Sequence, residues 1–97
     1  MKLGIILATR GDLGHAVAIA EAARRAHHEV ALFAMDAGCR ALAESPALVA
    51  ALVEADCELV ACSNSAVGID LPDPVVRGSQ DDHAAIVATS DRLIALT

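Results

Sequence analysis

Short apolar runs alternate with longer segments of helical periodicity from one end of the chain to the other. The first run, Leu3–Ala8, is apolar throughout, as expected of a strand that is covered on both faces. Leu13–His27 then carries apolar residues at helical spacing. No segment rich in Pro, Ser or Gly divides the 97 residues. This βαβα alternation predicts a single α/β domain, residues 1–97, in which a parallel sheet lies between helices.

Four more strands and three more helices complete the predicted fold. The strands are Val30–Met35, Glu58–Ala61, Val75–Arg77 and Leu93–Leu96. The helices begin at Pro46 after the hydroxyl of Ser45, span the short segment 63–68 that Gly68 closes, and follow the capping residue Ser79. Asp36–Gly38 is expected to form the turn before Cys39. The result is a three-layer α/β/α fold with a five-stranded, mainly parallel sheet and helices on both faces.

The charge and the apolar pattern exclude several classes of function. The formal net charge is −6, and the seven basic residues are scattered, so no basic run follows a nucleic-acid backbone. The apolar run near the first residue is too short for a signal peptide or a membrane span. We therefore expect a cytoplasmic protein that binds neither nucleic acid nor membranes.

The core is built almost without aromatic side chains. Hydrophobic residues make up 56% of the chain, but Phe33 is the only aromatic one and alanine is abundant. A domain of this size buries only about 60% of its unfolded surface, and alanine-rich helix faces leave little to bury. We therefore expect a second subunit to cover part of the surface, so that the protein is a homo-oligomer.

Three cysteines are present, and an odd number in a reducing compartment argues against a disulfide framework. Cys57 and Cys62 lie at opposite ends of the third predicted strand, roughly 16 Å apart, so Cys57 is expected to fill space and to react slowest. Cys39 and Cys62 follow the second and third strands. Cys62 is the stronger candidate, because a strand-to-helix turn directs N–H groups at its sulfur and lowers the pKa of the thiol.

Other polar residues at the same edge of the sheet are weaker candidates. The loop Thr9–His15 has a G-x-x-G pattern but contains Asp12, which would repel a phosphate, and no dinucleotide or P-loop motif. Arg10 in this loop would attract a small anion. His83 approaches Cys62 if the third and fourth strands are neighbours. Cys39, Cys62 and His83 lack metal-ligand spacing, so we expect neither a metal nor a cofactor.

Three segments resemble the DsrE/DsrF-like proteins of sulfur relay. They are HEVALFAMDAGC (residues 28–39), ELVACSNSAVGIDL (residues 58–71) and VVRGSQDDHAAIVATSDRLIAL (residues 75–96), so that the resemblance covers essentially the whole chain. It implies a small α/β subunit that assembles into trimers or hexamers. It also implies that Cys62, which matches the cysteine after the third strand of the sulfur-relay branch, carries a persulfide between a donor protein and an acceptor protein.

The sequence thus supports two hypotheses about function. The first is a sulfurtransferase-like persulfide carrier in which Cys62 holds the sulfur and Arg10 and His83 support it. The second is a non-catalytic module of the same fold that serves oligomeric interaction or small-ligand binding and retains Cys62 incidentally. Reactivity of the Cys62 thiol separates them, because only a carrier needs an exposed thiol with a lowered pKa.

Overall fold

Five strands alternate with four helices in the computed structural model, which describes residues 1–97. The strands are β1 (Lys2–Leu7), β2 (Glu29–Ala34), β3 (Glu58–Cys62), β4 (Val76–Gly78) and β5 (Arg92–Leu96). The helices are α1 (Leu13–Arg25), α2 (Ala37–Glu44), α3 (Pro46–Glu54) and α4 (Gln80–Thr89). The predicted α/β fold is confirmed, and all strand pairs are parallel. None of the helices has the length and hydropathy needed to cross a membrane.

The strand order β4-β3-β2-β1-β5 determines which helix covers which face. From β1 to β4 the chain moves across the sheet in one direction, and then it must return past β3, β2 and β1 to place β5 beside β1. Right-handed crossovers that run in opposite directions lie on opposite faces of a sheet. Accordingly, α1, α2 and α3 pack on one face, and α4, which contacts β1, β2 and β3, packs on the other.

The two faces differ greatly in how much apolar surface they bury. The face covered by α1, α2 and α3 contains a cluster of 17 buried residues that includes Leu32 and Leu42. The face covered by α4 contains six, and Ile86 is the only one of them that α4 supplies. Leu93, Val76 and Val87 remain 45%, 58% and 44% exposed. A single short helix therefore leaves part of this face open.

Two predicted local structures are wrong. Asp36–Gly38 is not simply a turn, because helix α2 begins at Ala37, directly after Asp36, whose φ is positive. This short helix buries Gly38, Cys39, Ala41 and Leu42. An early start is feasible because Gly38 packs directly on the backbone of Leu7, where no larger residue fits.

The segment 63–68 forms hydrogen-bonded turns and not the predicted helix. Ser63 donates its N–H and its hydroxyl to the carbonyl of Gly78, both at 2.8 Å. Arg77 donates to the carbonyls of Ala66, at 3.0 Å, and Ile69. A six-residue helix offers few hydrogen bonds for the entropy that it loses, so these contacts from β4 decide the local conformation. Gly68, which was predicted to close a helix, ends this turn instead, with φ +74°.

The close approach of α2 to β1 generates a prediction about stability. A Cβ atom on Gly38 would collide with the carbonyl oxygen of Leu7, whereas one on Gly14, in α1, would meet no atom within 4 Å. Gly38→Ala should therefore lower the free energy of unfolding by about 1–3 kcal/mol. Gly14→Ala should raise it by about 0.5–1 kcal/mol, because alanine is the better helix former. Urea denaturation measures both changes, and equal stability of the two variants would contradict the placement of α2.

Candidate functional site

Cys62 ends β3 at the carboxyl edge of the sheet. It pairs with Gly78 of β4, and its side chain lies on the α4 face together with Phe33, Val60 and Ile86. Only 5% of Cys62 is exposed. The prediction that the residue lies at this edge is confirmed. The turn 63–68 and the first turn of α4 cover the sulfur, so that the thiol is not exposed as a carrier requires.

Hydrogen bonds lower the pKa of the Cys62 thiol from its ordinary value. The largest contribution is the backbone N–H of Ser65, and the hydroxyl of Ser65, the N–H of Asn64 and the side chain of Gln80 act in the same direction. Burial opposes them but does not prevail. N–H groups that converge on a sulfur stabilise its anion. The predicted direction is therefore confirmed, with consecutive N–H groups of a turn in place of a helix end.

Gln80 connects Cys62 with His83 on the outside of the sheet. Its Nε2 donates to Sγ of Cys62 at 3.6 Å, and its Oε1 lies 3.0 Å from Nδ1 of His83. The imidazole stacks on Phe33 with a centroid separation of 4.9 Å and an interplanar angle of 13°. The expected approach of His83 to Cys62 is thus indirect, because Gln80 stands between them.

Arg10 does not contact the thiol. Its guanidinium forms a bidentate ion pair with Glu44 at the end of α2, with Nε 2.7 Å from Oε1. Both partners are exposed, and the carboxylate raises the pKa of Arg10 through a hydrogen bond and its charge. Arg10 is absent from the groups that shift the pKa of Cys62. The positive charge expected to support the cysteine is therefore engaged elsewhere.

The sheet separates the other two thiols from Cys62. Cys39 belongs to the large cluster on the face covered by α1, α2 and α3, where it donates to the carbonyl of Ala34 at 3.5 Å. It is fully buried, and burial raises its pKa. Cys62 lies on the opposite face of the sheet, towards α4. Cys39, Cys62 and His83 therefore do not converge on a metal site. All three cysteines are free.

Cys57, at the amino end of β3, is half-buried, and desolvation raises its pKa. It packs against the large cluster, as expected of a residue that fills space. Cys39 has no exposed surface at all, so the structure favours Cys39, and not Cys57, as the least reactive thiol.

No hollow surrounds the candidate cysteine. The larger of two surface hollows has a volume of about 410 Å³ and lies at the carboxyl ends of α1 and α3, lined by Arg24, Arg25, Glu54 and their neighbours. The smaller one lies beside the amino ends of the strands. Neither hollow lies between the loops that follow β1 and β3. In the loop after β1, the Asp12 carboxylate accepts a hydrogen bond from the hydroxyl of Thr9 and lies 3.0 Å from Nδ1 of His15.

Comparison with known proteins gives a fold but no family. No protein-family model matches the chain, and no curated protein matches it. Among solved structures, the crystal structure of the ychN protein of E. coli superposes with a TM-score of 0.81 over 99% of each chain, at 18% sequence identity. At this identity the likeness shows a shared fold.

Sequence reasoning identified Cys62 but missed Gln80 and Ser65. Gln80 reaches the thiol because Cys62 pairs with Gly78, which places the first turn of α4 directly beyond the cysteine, and the sequence alone does not reveal this pairing. The spacing of three between Gln80 and His83 puts both on one side of α4. Nothing in the sequence indicates which N–H groups of the turn point at the sulfur.

The three pKa shifts predict how alkylation depends on pH. The thiolate fraction at a given pH rises as the pKa falls, so Cys62 should react at a lower pH than a free thiol and Cys57 at a higher one. Cys39 should label only on unfolding. The measurement is native alkylation over a range of pH with peptide mass mapping of each cysteine. Labelling of Cys39 before Cys62 in the folded protein would contradict the assignment of the faces.

Proposed function

We propose that the protein is a sulfur-relay subunit that carries sulfane sulfur as a persulfide on Cys62. The observation that carries the proposal is the hydrogen bond that Nε2 of Gln80 donates to Sγ of Cys62, at 3.6 Å, at the carboxyl edge of the sheet, where α/β folds place their reactive groups. The lowered pKa of this thiol has the direction that the proposal requires. The resemblance of three segments to DsrE/DsrF-like proteins supports it. The similarity to the ychN protein supports the fold on which the proposal rests.

The chemistry is a thiol–persulfide exchange without net oxidation. The Cys62 thiolate attacks the outer sulfur of a donor persulfide, a new S–S bond forms, and the S–S bond of the donor breaks to release a thiolate that takes up a proton. In the second step an acceptor thiolate attacks the outer sulfur on Cys62, and the Cys62 thiolate leaves. Both steps need a sulfur whose anion is stable, which the N–H groups of Asn64 and Ser65 supply.

Transfer to another protein requires that the cover over Cys62 moves. The cover consists of the turn 63–68, whose residues Ser63, Asn64 and Val67 are exposed, and the exposed side chain of Gln80. Rotation of one surface glutamine is a small rearrangement compared with displacement of a core residue. The partners in this proposal are a sulfur donor and a sulfur acceptor protein, and three free thiols fit a reducing cytoplasm.

We also propose that the subunit forms a homo-oligomer, a trimer or a hexamer. The α4 face leaves Val76, Val87 and Leu93 exposed beside a cluster of only six buried residues. Exposed apolar side chains on a thinly covered face favour contact with another subunit.

One observation favours a second function, that of a non-catalytic interaction module. Cys62 is 5% exposed, and no hollow opens onto it. A small buried residue at the end of a strand needs no reactivity. In this case the α4 face would serve assembly, and the lowered pKa of Cys62 would be incidental.

Sulfur loading tests the first function against the second. Incubation with a persulfide donor should add the mass of one sulfur atom to the wild-type chain, and peptide mapping should locate it on Cys62. Cys62→Ser should fold and assemble normally but accept no sulfur. Cys57→Ser is the matched control and should load like the wild type, because Cys57 lies at the other end of β3. Equal loading of Cys62→Ser, or no loading of the wild type by a competent donor, would sink the carrier hypothesis.

A pair of charge substitutions tests the assembly. Leu93→Lys introduces a charge on the open face, whereas Val53→Lys introduces one on α3, at a similar exposure of 41% against 45%. Light scattering should give an oligomeric mass for the wild type and Val53→Lys and a smaller mass for Leu93→Lys, because a buried unpaired charge opposes association. A monomeric wild type at micromolar concentration would contradict the proposal.

A further inference from the structure

Gln80 is the only side chain of another element that donates a hydrogen bond to the Cys62 sulfur. It reaches the thiol because Gly78 pairs with Cys62 and α4 begins two residues later. The start of α4 is fixed by a capping box, in which Ser79 accepts from the N–H of Asp81 at 3.1 Å and donates its own N–H to Asp82 at 2.8 Å. A Cβ atom on Gly78 would collide with both Asp82 and Val60, so this approach requires glycine. The position of Gln80 thus depends on the pairing of Gly78 with Cys62 and on the capping box at Ser79.

The orientation of the Gln80 amide oxygen determines where its NH₂ group points. An amide has one oxygen, which only accepts, and one NH₂ group, which only donates. With Oε1 turned to Nδ1 of His83, Nε2 necessarily faces Cys62, and Nδ1 must carry a proton to complete the contact. If the amide turned over, its oxygen would face the sulfur, which a thiol tolerates but a thiolate repels. His83 itself is held by its stack on Phe33.

We infer that Gln80 and His83 are positioning residues for the Cys62 thiolate: Gln80 donates an N–H to the sulfur, and His83 holds the amide in its donating orientation. This inference rests on the proposed function insofar as it assigns the thiolate a use. It also changes the role of His83, which acts through Gln80 and has no direct contact with the thiol.

Three charged residues on neighbouring elements have other partners and do not contribute to the lowered pKa of Cys62. Arg77 of β4 is bound to the carbonyls of Ala66 and Ile69. Asp82 of α4 is bound to Ser79, and Asp36, before α2, acts on Cys39. None of the three is among the groups that shift the pKa of Cys62. The contribution of an α4 side chain to the lowered pKa of Cys62 comes from the neutral donor Gln80.

The test is the pH profile of alkylation at Cys62, with Cys57 of the same molecules as the internal reference. The midpoint of the profile reports the thiol pKa, and the plateau at high pH reports access to the sulfur. Gln80→Ala should raise the midpoint because the donor is lost, and it should raise the plateau because the cover is removed. At neutral pH the thiolate fraction should fall by about threefold or more, the effect expected of one lost hydrogen bond to an anion.

Two further variants distinguish the effect of losing the hydrogen-bond donor from the effect of changing the size of the side chain. Gln80→Glu preserves the size of the side chain but presents only acceptors, so the midpoint should rise further than in Gln80→Ala while the plateau stays near that of the wild type. His83→Phe preserves an aromatic ring for the stack on Phe33 and removes Nδ1, so the midpoint should rise by less than in Gln80→Ala. Asp81→Asn, one residue away and without a contact to the sulfur, is the control for charge and should leave the midpoint of Cys62 near that of the wild type.

An unchanged midpoint in both Gln80 variants would overturn the inference, as would a midpoint in His83→Phe equal to that of the wild type. A merely structural role would raise the plateau of Cys62 and shift the reference profile of Cys57 without the graded rise of the midpoint. Because alkylation requires no sulfur donor, failure of sulfur loading would leave these results interpretable. The proposed function and the inference therefore fail separately.

Discussion

The return of the chain across the sheet is the constraint on which the rest of the structure depends. Because β4 and β5 lie at opposite edges, the segment between them must cross three strands, and it does so as α4 on the face that the other helices leave open. The same crossing determines where α4 begins, immediately after Gly78 and beside Cys62. Coverage of the second face and construction of the thiol site are therefore two consequences of one connection.

The environment of Cys62 shows how a thiol is acidified without a cation. Arg10 is paired with Glu44, and Gln80 lies between His83 and the sulfur, so that neither basic side chain contacts the thiol. Neutral donors take their place: two N–H groups of a turn, a hydroxyl and an amide. Such donors act over short distances and require fixed geometry, which explains why the turn is held at several points by Ser63 and Arg77. Those contacts stabilise a conformation that its own backbone hydrogen bonds would not maintain.

Much of the fold could be predicted from the sequence because strands covered on both faces and amphipathic helices have distinct periodicities. The five strands, the cap at Ser79 and the position of Cys62 followed from such local patterns. The predictions about α2 and about residues 63–68 were wrong, since both segments are short and take their conformation from Leu7 and from β4. The ion pair of Arg10 and the donation from Gln80 join residues of different elements, and one sequence carries no signal for either.

Cys62 has a lowered pKa but little exposed surface, and Gln80 in the first turn of α4 contributes to both properties. The groups that stabilise the anion also cover it, so that only 5% of the residue is exposed. Backbone donors in the turn cannot withdraw without losing the conformation held by Arg77, whereas the Gln80 side chain can rotate about its own bonds. Displacement of that side chain would expose the sulfur and at the same time remove one stabilising donor, so that the thiol pKa would rise and the thiolate fraction at neutral pH would fall. The N–H groups of Asn64 and Ser65 would remain in place and would still act to lower that pKa. Access to the sulfur and stability of its anion are therefore opposed at Gln80, and the turn limits how much stability is lost when the thiol is uncovered.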